Sequence, residues 1–203
     1  ELLDVLVSDI LITPPYMRVS RMIRDISAHD IVVGNKKANL RQMVEAAIEK
    51  SGQASEINEI RYREVSTGEV DRGALQLIEV PYDTTNTREY FLQWVTPENK
   101  IAGFLRLSLP DQAYVTAHER DLPLALGEAM IREVHVYGKV AGLHKAGESA
   151  QHAGLGKRLI ERAGVIAHEA GYKRLNVISA IGTRGYYRRL GFNELGLYQQ
   201  KEI

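Results

Sequence analysis

Gln151-His152-Ala153-Gly154-Leu155-Gly156-Lys157-Arg158 joins a strand-like run, Ile131 to Tyr137, to a long amphipathic helix. Glycines at a helix entrance let the backbone approach a ligand closely. The first amide N–H groups of a helix have no partner within it and can point at an anion. Lys157 and Arg158 add positive charge beside them. A Walker loop would need Gly at Gln151 and Ser or Thr at Arg158, and a dinucleotide fingerprint would need Gly or Ala at Leu159. On the residues alone the stretch reads as a pyrophosphate cradle or as a plain Gly-rich loop capping a helix.

Working outward, Leu155, Leu159, Ile160, Ala163, Ile166, Ala167 and Ala170 form the apolar stripe of a helix over residues 155–170. A strand from Arg174 to Ser179, a short helix from Gly182 to Leu190 and a closing strand from Phe192 toward Gln200 should follow. Upstream, Glu89 to Val95 alternates with Tyr90, Leu92 and Trp94 on one face, turns at Thr96-Pro97-Glu98-Asn99 and returns from Ile101 to Leu109. Ala74 to Tyr82 and Glu56 to Val65 look extended, and Asp111 to Gly127 reads as a polar connection. Asn39 to Lys50 has helical spacing, with Asn39 as N-cap and Gly52 as terminator. Val5 to Ile12 reads as a β-like run stopped by Pro14-Pro15. Strands followed by strand–helix–strand–helix–strand predict an α/β (α+β) domain with a mixed central sheet flanked by helices.

The 203 residues, 44% hydrophobic and 26% charged, suit a globular protein with a sizeable core. No window approaches twenty apolar residues, so no membrane span is expected. The start, Glu1-Leu2-Leu3-Asp4, reads as a chain beginning inside a longer protein. The absence of cysteine excludes a thiol nucleophile and a Cys-ligated metal here, and is compatible with a cytoplasmic setting. The zero net charge is unevenly spread. Residues 14–42 carry six Lys/Arg against two acids and residues 132–189 eleven against four, whereas residues 64–131 carry five against eleven. This is either a basic face for polyanions or charge scattered over a solvated surface.

Strand alternation puts Glu133 and His135 on one face with Ile131 and Tyr137, and Arg132, Val134 and Val136 on the other. Glu133 and His135 could relay a proton or form a satisfied structural pair. Tyr186 and Tyr187 could both be aromatic core on a short helix. His144 and Lys145 read as surface loop, Trp94 as hairpin core, and His29, His118 and His168 lack metal-ligand spacing. Arg24 followed by Asp25 could be an internal ion pair.

Gln151-His152-x-Gly154-x-Gly156 resembles the Q/R-x-x-G-x-G/A signature of the GNAT acetyltransferases. Tyr186-Tyr187-Arg188-Arg189-Leu190-Gly191-Phe192, about thirty residues on, resembles the aromatic-Tyr-x-x-x-Gly-Phe element that closes that fold. Arg132-Glu133-Val134-His135-Val136-Tyr137-Gly138 and Thr183-Arg184-x-Tyr186-Tyr187-Arg188 narrow the likeness to the acetyltransferase domain of the Elongator catalytic subunit family. Pro14-Pro15-Tyr16-Met17-Arg18-Val19, Arg24-Asp25-Ile26, Asn39-Leu40-Arg41 and Arg63-Glu64-Val65 resemble the segment joining that family's radical SAM domain to its acetyltransferase. Nearly the whole chain is covered, least well between Gly73 and Ala129.

The resemblance implies residues 1–63 as a linker segment and 64–203 as a GNAT acetyltransferase domain. It implies acetyl-CoA as donor, held by Glu133, Val134, His135 and Val136 on a splayed strand and by Gln151, His152, Gly154, Leu155, Gly156, Lys157 and Arg158 at the pyrophosphate. Tyr187 would lie beside the sulfur and serve the departing thiolate, with Tyr186 left to packing or substrate contact; Glu133 and His135 are the other catalytic candidates. Arg18, Arg21, Arg24, Lys36, Lys37 and Arg41 would meet tRNA phosphates. The implied reaction converts the acetyl group and a wobble uridine in tRNA to a 5-carboxymethyl uridine. Its S-adenosylmethionine and iron–sulfur cluster belong to the radical SAM domain, which this chain lacks, and accessory subunits or a second copy are further implied partners. Where many microbial relatives carry zinc-binding cysteines this chain has Ile57, Glu59 and Tyr62, so no metal is expected. Two other functions stay open: a protein lysine or N-terminal acetyltransferase, and a non-catalytic module binding acetyl-CoA or tRNA.

Overall fold

Val5 to Ile12 is helical, not extended: helix α1 spans Leu2–Ile12 in the structure, a computed structural model that describes residues 1–22, 27–65, 70–137 and 153–203. The run is apolar enough for either reading, but Leu3, Leu6, Val7, Ile10 and Leu11 also recur at helical spacing. That stripe packs against Val44, Ile48 and Ile57. Thr13, extended ahead of Pro14, ends the helix. Helix α2, Leu40–Ser51, buries Leu40, Val44 and Ile48 and closes on Gly52 at φ +77°, whose N–H returns to the carbonyls of Ile48 and Glu49. Asn39 occupies the N-cap position, but its side chain makes no capping bond. Residues 56–65 are not a strand either. A single 3-10 turn, Ala54–Glu56, precedes the short helix α3, Ile60–Arg63.

The chain divides into two compact units, Glu1–Glu64 and Val65–Ile203. The second is a seven-stranded mixed sheet. Strands β1 (Gln76–Asp83), β2 (Thr87–Val95) and β3 (Ile101–Pro110) form an antiparallel meander. The connection after β3 contains helix α4, Gln112–Ala117, capped by the Asp111 carboxylate, which accepts the Tyr114 N–H. Strand β4 (Glu128–Val136), helix α5 (Ala153–Glu169) and strand β5 (Arg174–Val177) make the crossover, so β4 and β5 run parallel. A 3-10 turn leads into helix α6 (Arg184–Arg189). Strands β6 (Asn193–Leu195) and β7 (Tyr198–Glu202) then form a hairpin where one closing strand is expected, with Gly196 at φ +58° in the turn. The order is β1-β2-β3-β4-β5-β7-β6.

Helix α5 presses Leu155, Leu159, Ile160, Ala163, Ile166 and Ala167 onto Leu92, Trp94, Leu105, Leu107, Ile131 and Leu175 of the sheet. Ala170, placed in the stripe by spacing, lies past the helix end and is exposed. The junction of β4, β5 and β7 is tied by the buried Glu128 carboxylate, which accepts the side-chain amides of Asn176 at 3.2 Å and Gln200 at 2.9 Å.

Strict alternation fails in β4. Arg106 of β3 faces Glu133 while the next residue, Leu107, faces Ile131, so Arg132 is the extra residue of a bulge. Ile131, Val134 and Val136 therefore share the α5 face, and Glu133 and His135 take the opposite face with Phe104 and Arg106. The expectation that Glu133 and His135 share a face with Ile131 is corrected by that inserted residue.

In the first unit, the fully buried Glu59 carboxylate accepts the Val19 N–H, the Tyr62 N–H and the Arg41 guanidinium at 2.7 to 2.9 Å. Glu59→Ala should lower the stability of this unit by about 3–5 kcal/mol, the usual cost of orphaning one partner of a buried ion pair. Urea denaturation of the two proteins measures it.

Candidate acyl-donor and proton-transfer site

The parallel ladder of β4 and β5 has four pairs and ends at Ile131–Val177. Strand β4 continues for five residues, and among the described residues the β5-facing edge of Arg132–Val136 has no strand beside it. Unpaired strand edges offer backbone N–H and C=O groups to an extended ligand. At the end of that edge stands the first turn of α5. A Cβ on Gly156 would lie 3.2 Å from the Tyr186 hydroxyl and 3.5 Å from Cγ2 of Val136. The approach of α5, β4 and α6 is therefore close at this position, and a side chain there would press on the Tyr186 hydroxyl. Gly154 faces open space. The turn is fixed from below by Trp94, whose indole N–H donates to the Leu155 carbonyl at 3.3 Å, and Arg158 stacks on the Trp94 ring at 4.3 Å. Lys157 is exposed, 3.6 Å from Glu161. Gln151, His152, His144 and Lys145 lie outside the described residues.

On the other face, Arg106 donates through Nε to Glu133 Oε2 at 2.8 Å, and Glu133 Oε1 lies 2.8 Å from Nε2 of His135. The hydrogen bond from His135 and then the Arg106 cation hold the Glu133 carboxyl down at about 2, against the opposing effect of burial. A carboxylate held so low is a weak proton acceptor and a firm hydrogen-bond acceptor. The His135 ring is half exposed and stacks on Phe104 at 5.1 Å between centroids. Sequence reading had no signal for Arg106, because it comes from another strand through a register that a bulge sets.

Tyr187 packs edge-on against Phe192 and Tyr186 at 5.6 and 5.4 Å. Burial, with Tyr186 beside it, pushes its phenol up to about 12. It keeps its proton through the physiological range and can act as a donor. Tyr187 is part of the core on the α5 face, whereas Glu133 and His135 lie on the other, so the catalytic candidates form two clusters and not one.

The basic segment is also sorted by geometry. Arg41 is committed to Glu45, Glu59 and the Val19 carbonyl, and Arg18 pairs with Glu64 at 2.7 Å. Lys36, Lys37 and Arg21 are exposed. Arg61, which composition did not single out, lines a groove with Arg21 and Arg41 and donates to the Ser20 carbonyl. Arg24 lies outside the described residues.

No family model matches the chain. Similar proteins do. Elongator complex protein 3 of Danio rerio is 34% identical over all of this chain and 37% of its own length. A tRNA uridine(34) acetyltransferase of Methanocaldococcus infernus is 36% identical over 95% of this chain and 36% of its own length. A solved structure of archaeal Elp3 from Methanocaldococcus infernus superposes with a TM-score of 0.82 at 33% identity, covering 99% of this chain and 48% of that one. The mixed sheet with its β4–α5–β5 crossover matches the GNAT-like α/β fold that the sequence predicts. More narrowly, the chain is homologous along its length to one part of the Elongator catalytic subunit family, and it spans a little over a third of the curated relatives it matches.

Gly156→Asp should abolish CoA binding in a folded protein. The new side chain meets Tyr186 and Val136 and puts a negative charge where an anion would approach the helix N-terminus. Calorimetric titration with CoA reads the effect, and unchanged affinity would remove the cradle assignment.

Proposed function

We propose that this chain binds acetyl-CoA along the free edge of β4 and activates its thioester as the acetyltransferase part of a tRNA wobble-uridine modifying enzyme. The observation that carries the reading is the end of the β4–β5 ladder at Ile131–Val177, next to a helix N-terminus where Gly156 lies close to Tyr186 and Val136. The residues fit the donor. Backbone groups of 132–136 suit the amides of a pantetheine arm, and the first turn of α5 with Lys157 suits a pyrophosphate.

In this reading the thioester lies in the gap between the strands. Water or another acceptor attacks the carbonyl carbon, its proton passes to His135, the C–S bond breaks, and the thiolate takes a proton from the Tyr187 phenol. Glu133, held ionised, orients His135 and does not itself act as the base. The tRNA assignment is supported by the relatives named as tRNA uridine(34) acetyltransferases. It is also supported by the exposed Lys36, Lys37 and Arg21, whose phosphate contacts would be sequence-independent and salt-dependent. Completing the base modification falls to the radical SAM domain that the family resemblance implies.

Acetyl-CoA hydrolysis by the purified chain should rise on addition of tRNA. Acetylation of a peptide without any tRNA effect would instead make this a protein acetyltransferase. Tyr187→Phe should reduce tRNA-stimulated turnover on the order of 10²–10⁴-fold while CoA affinity holds, since only the hydroxyl is lost; full activity would return Tyr187 to the core alone. Joint replacement of Lys36 and Lys37 by Gln should weaken tRNA binding and flatten its salt dependence, measured by filter binding over a salt series.

A further inference from the structure

Among the charged side chains on the outer face of β3 and β4, Arg106 of β3 is held more firmly than an ion pair with Glu133 needs. Its side chain is only 16% exposed, and its guanidinium lies over the rings of Phe91 at 5.3 Å and Phe104 at 5.7 Å. Tyr82 of β1 also interacts electrostatically with it. The His135 ring rests on the same Phe104, nearly parallel at 28°. Phe104 thus fixes the plane of the imidazole, which leaves open only which nitrogen carries the proton.

We propose that Arg106 is a positioning residue that sets the tautomer of His135: by claiming one oxygen of Glu133 it turns the other to the His135 Nε2–H and leaves Nδ1 as the proton acceptor. An ionised carboxylate only accepts hydrogen bonds and a guanidinium only donates them. With Glu133 ionised between Arg106 and His135, Nε2 must be the donor. Among the described residues, the charged and titratable groups around the imidazole are Glu133 from β4, Tyr137 just after it and Arg106 from β3, with Tyr82 of β1 beside Arg106. The tautomer assignment does not depend on acetyl-CoA chemistry. Its kinetic consequence rests on the function proposed above.

The geometry makes Glu133→Gln a pointed test. Arg106 can be satisfied only by the amide oxygen of the new side chain, so the amide NH2 must face His135. Nε2 then becomes an acceptor and the proton moves to Nδ1. An amide in place of a carboxylate opposite a catalytic imidazole is known to fix the wrong tautomer and to lower turnover steeply.

Long-range 15N–1H correlation spectra of 15N-histidine-labelled protein at neutral pH report the tautomer directly. The native protein should show His135 protonated at Nε2, Glu133→Gln should show it protonated at Nδ1, and Arg106→Met combined with Glu133→Gln should show a mixture. An Nε2-protonated or mixed His135 in Glu133→Gln with Arg106 intact would overturn the proposal. If that double variant does not fold, Arg106→Gln combined with Glu133→Gln decides, because an amide at 106 can both donate and accept: a mixture supports the role of Arg106, and a His135 still protonated only at Nδ1 refutes it. In the hydrolysis assay, Glu133→Gln should lose turnover on the order of 10²–10⁴-fold with CoA affinity unchanged. A correct tautomer switch without that loss would leave the positioning role standing and remove His135 from the chemistry.

Discussion

Four residue pairs of parallel sheet, Glu128–Arg174 to Ile131–Val177, organise the second unit of this protein. At one end the ladder is anchored by the buried Glu128, which draws amides from β5 and β7 to a single carboxylate. At the other end it stops where Arg132 bulges out of register with β3. A bulge increases local twist and re-aims the residues beyond it. Here it turns Val134 and Val136 toward α5 and sends Glu133 and His135 to the opposite face, with an unpaired backbone edge between them. One inserted residue thereby puts the Tyr187 cluster and the Glu133–His135 pair on opposite faces of the sheet.

The parts of this arrangement that were legible in the sequence are those set by local periodicity. The stripe of α5, the alternation of Tyr90, Leu92 and Trp94, and the glycine entrance at Gly154 and Gly156 each declare themselves within a dozen residues. The errors have a common physical origin in the neighbours that an element acquires. Val5 to Ile12 is apolar on nearly every position, so strand and helix templates both fit until α2 supplies one surface to pack against. The bulge at Arg132 is a property of two strands and leaves no mark on β4 alone. Arg106 leaves no mark for the same reason, standing on another strand, opposite Glu133 only through that register. Asp111, by contrast, is a helix cap that spacing alone could have revealed ahead of α4.

Charge counting needed the same correction. Six basic residues between positions 14 and 42 suggest a cationic surface, yet two of them have carboxylate partners within the first unit. Arg41 spends its guanidinium on holding Glu59, Glu45 and the Val19 carbonyl together, which is structural work in a region with little apolar core of its own. Lys36 and Lys37, on an exposed and irregular stretch, have the hydrated, mobile charge that suits transient contacts with a polyanion. Arginine content and basic surface are therefore different quantities in this unit, and the first overstates the second.

The contact between Trp94 and the start of α5 gives the protein an internal optical probe. Trp94 is the one tryptophan in the chain, and its indole touches both the Leu155 carbonyl and the Arg158 guanidinium. Emission of an indole responds to the charge placed over its ring and to the hydrogen bond its N–H makes, and here both are supplied by the helix turn that would face an anion. An arginine drawn off the ring toward a phosphate would change the signal of a fluorophore that has no second tryptophan to dilute it. A residue of the hairpin core would thus report on any anion bound at that turn.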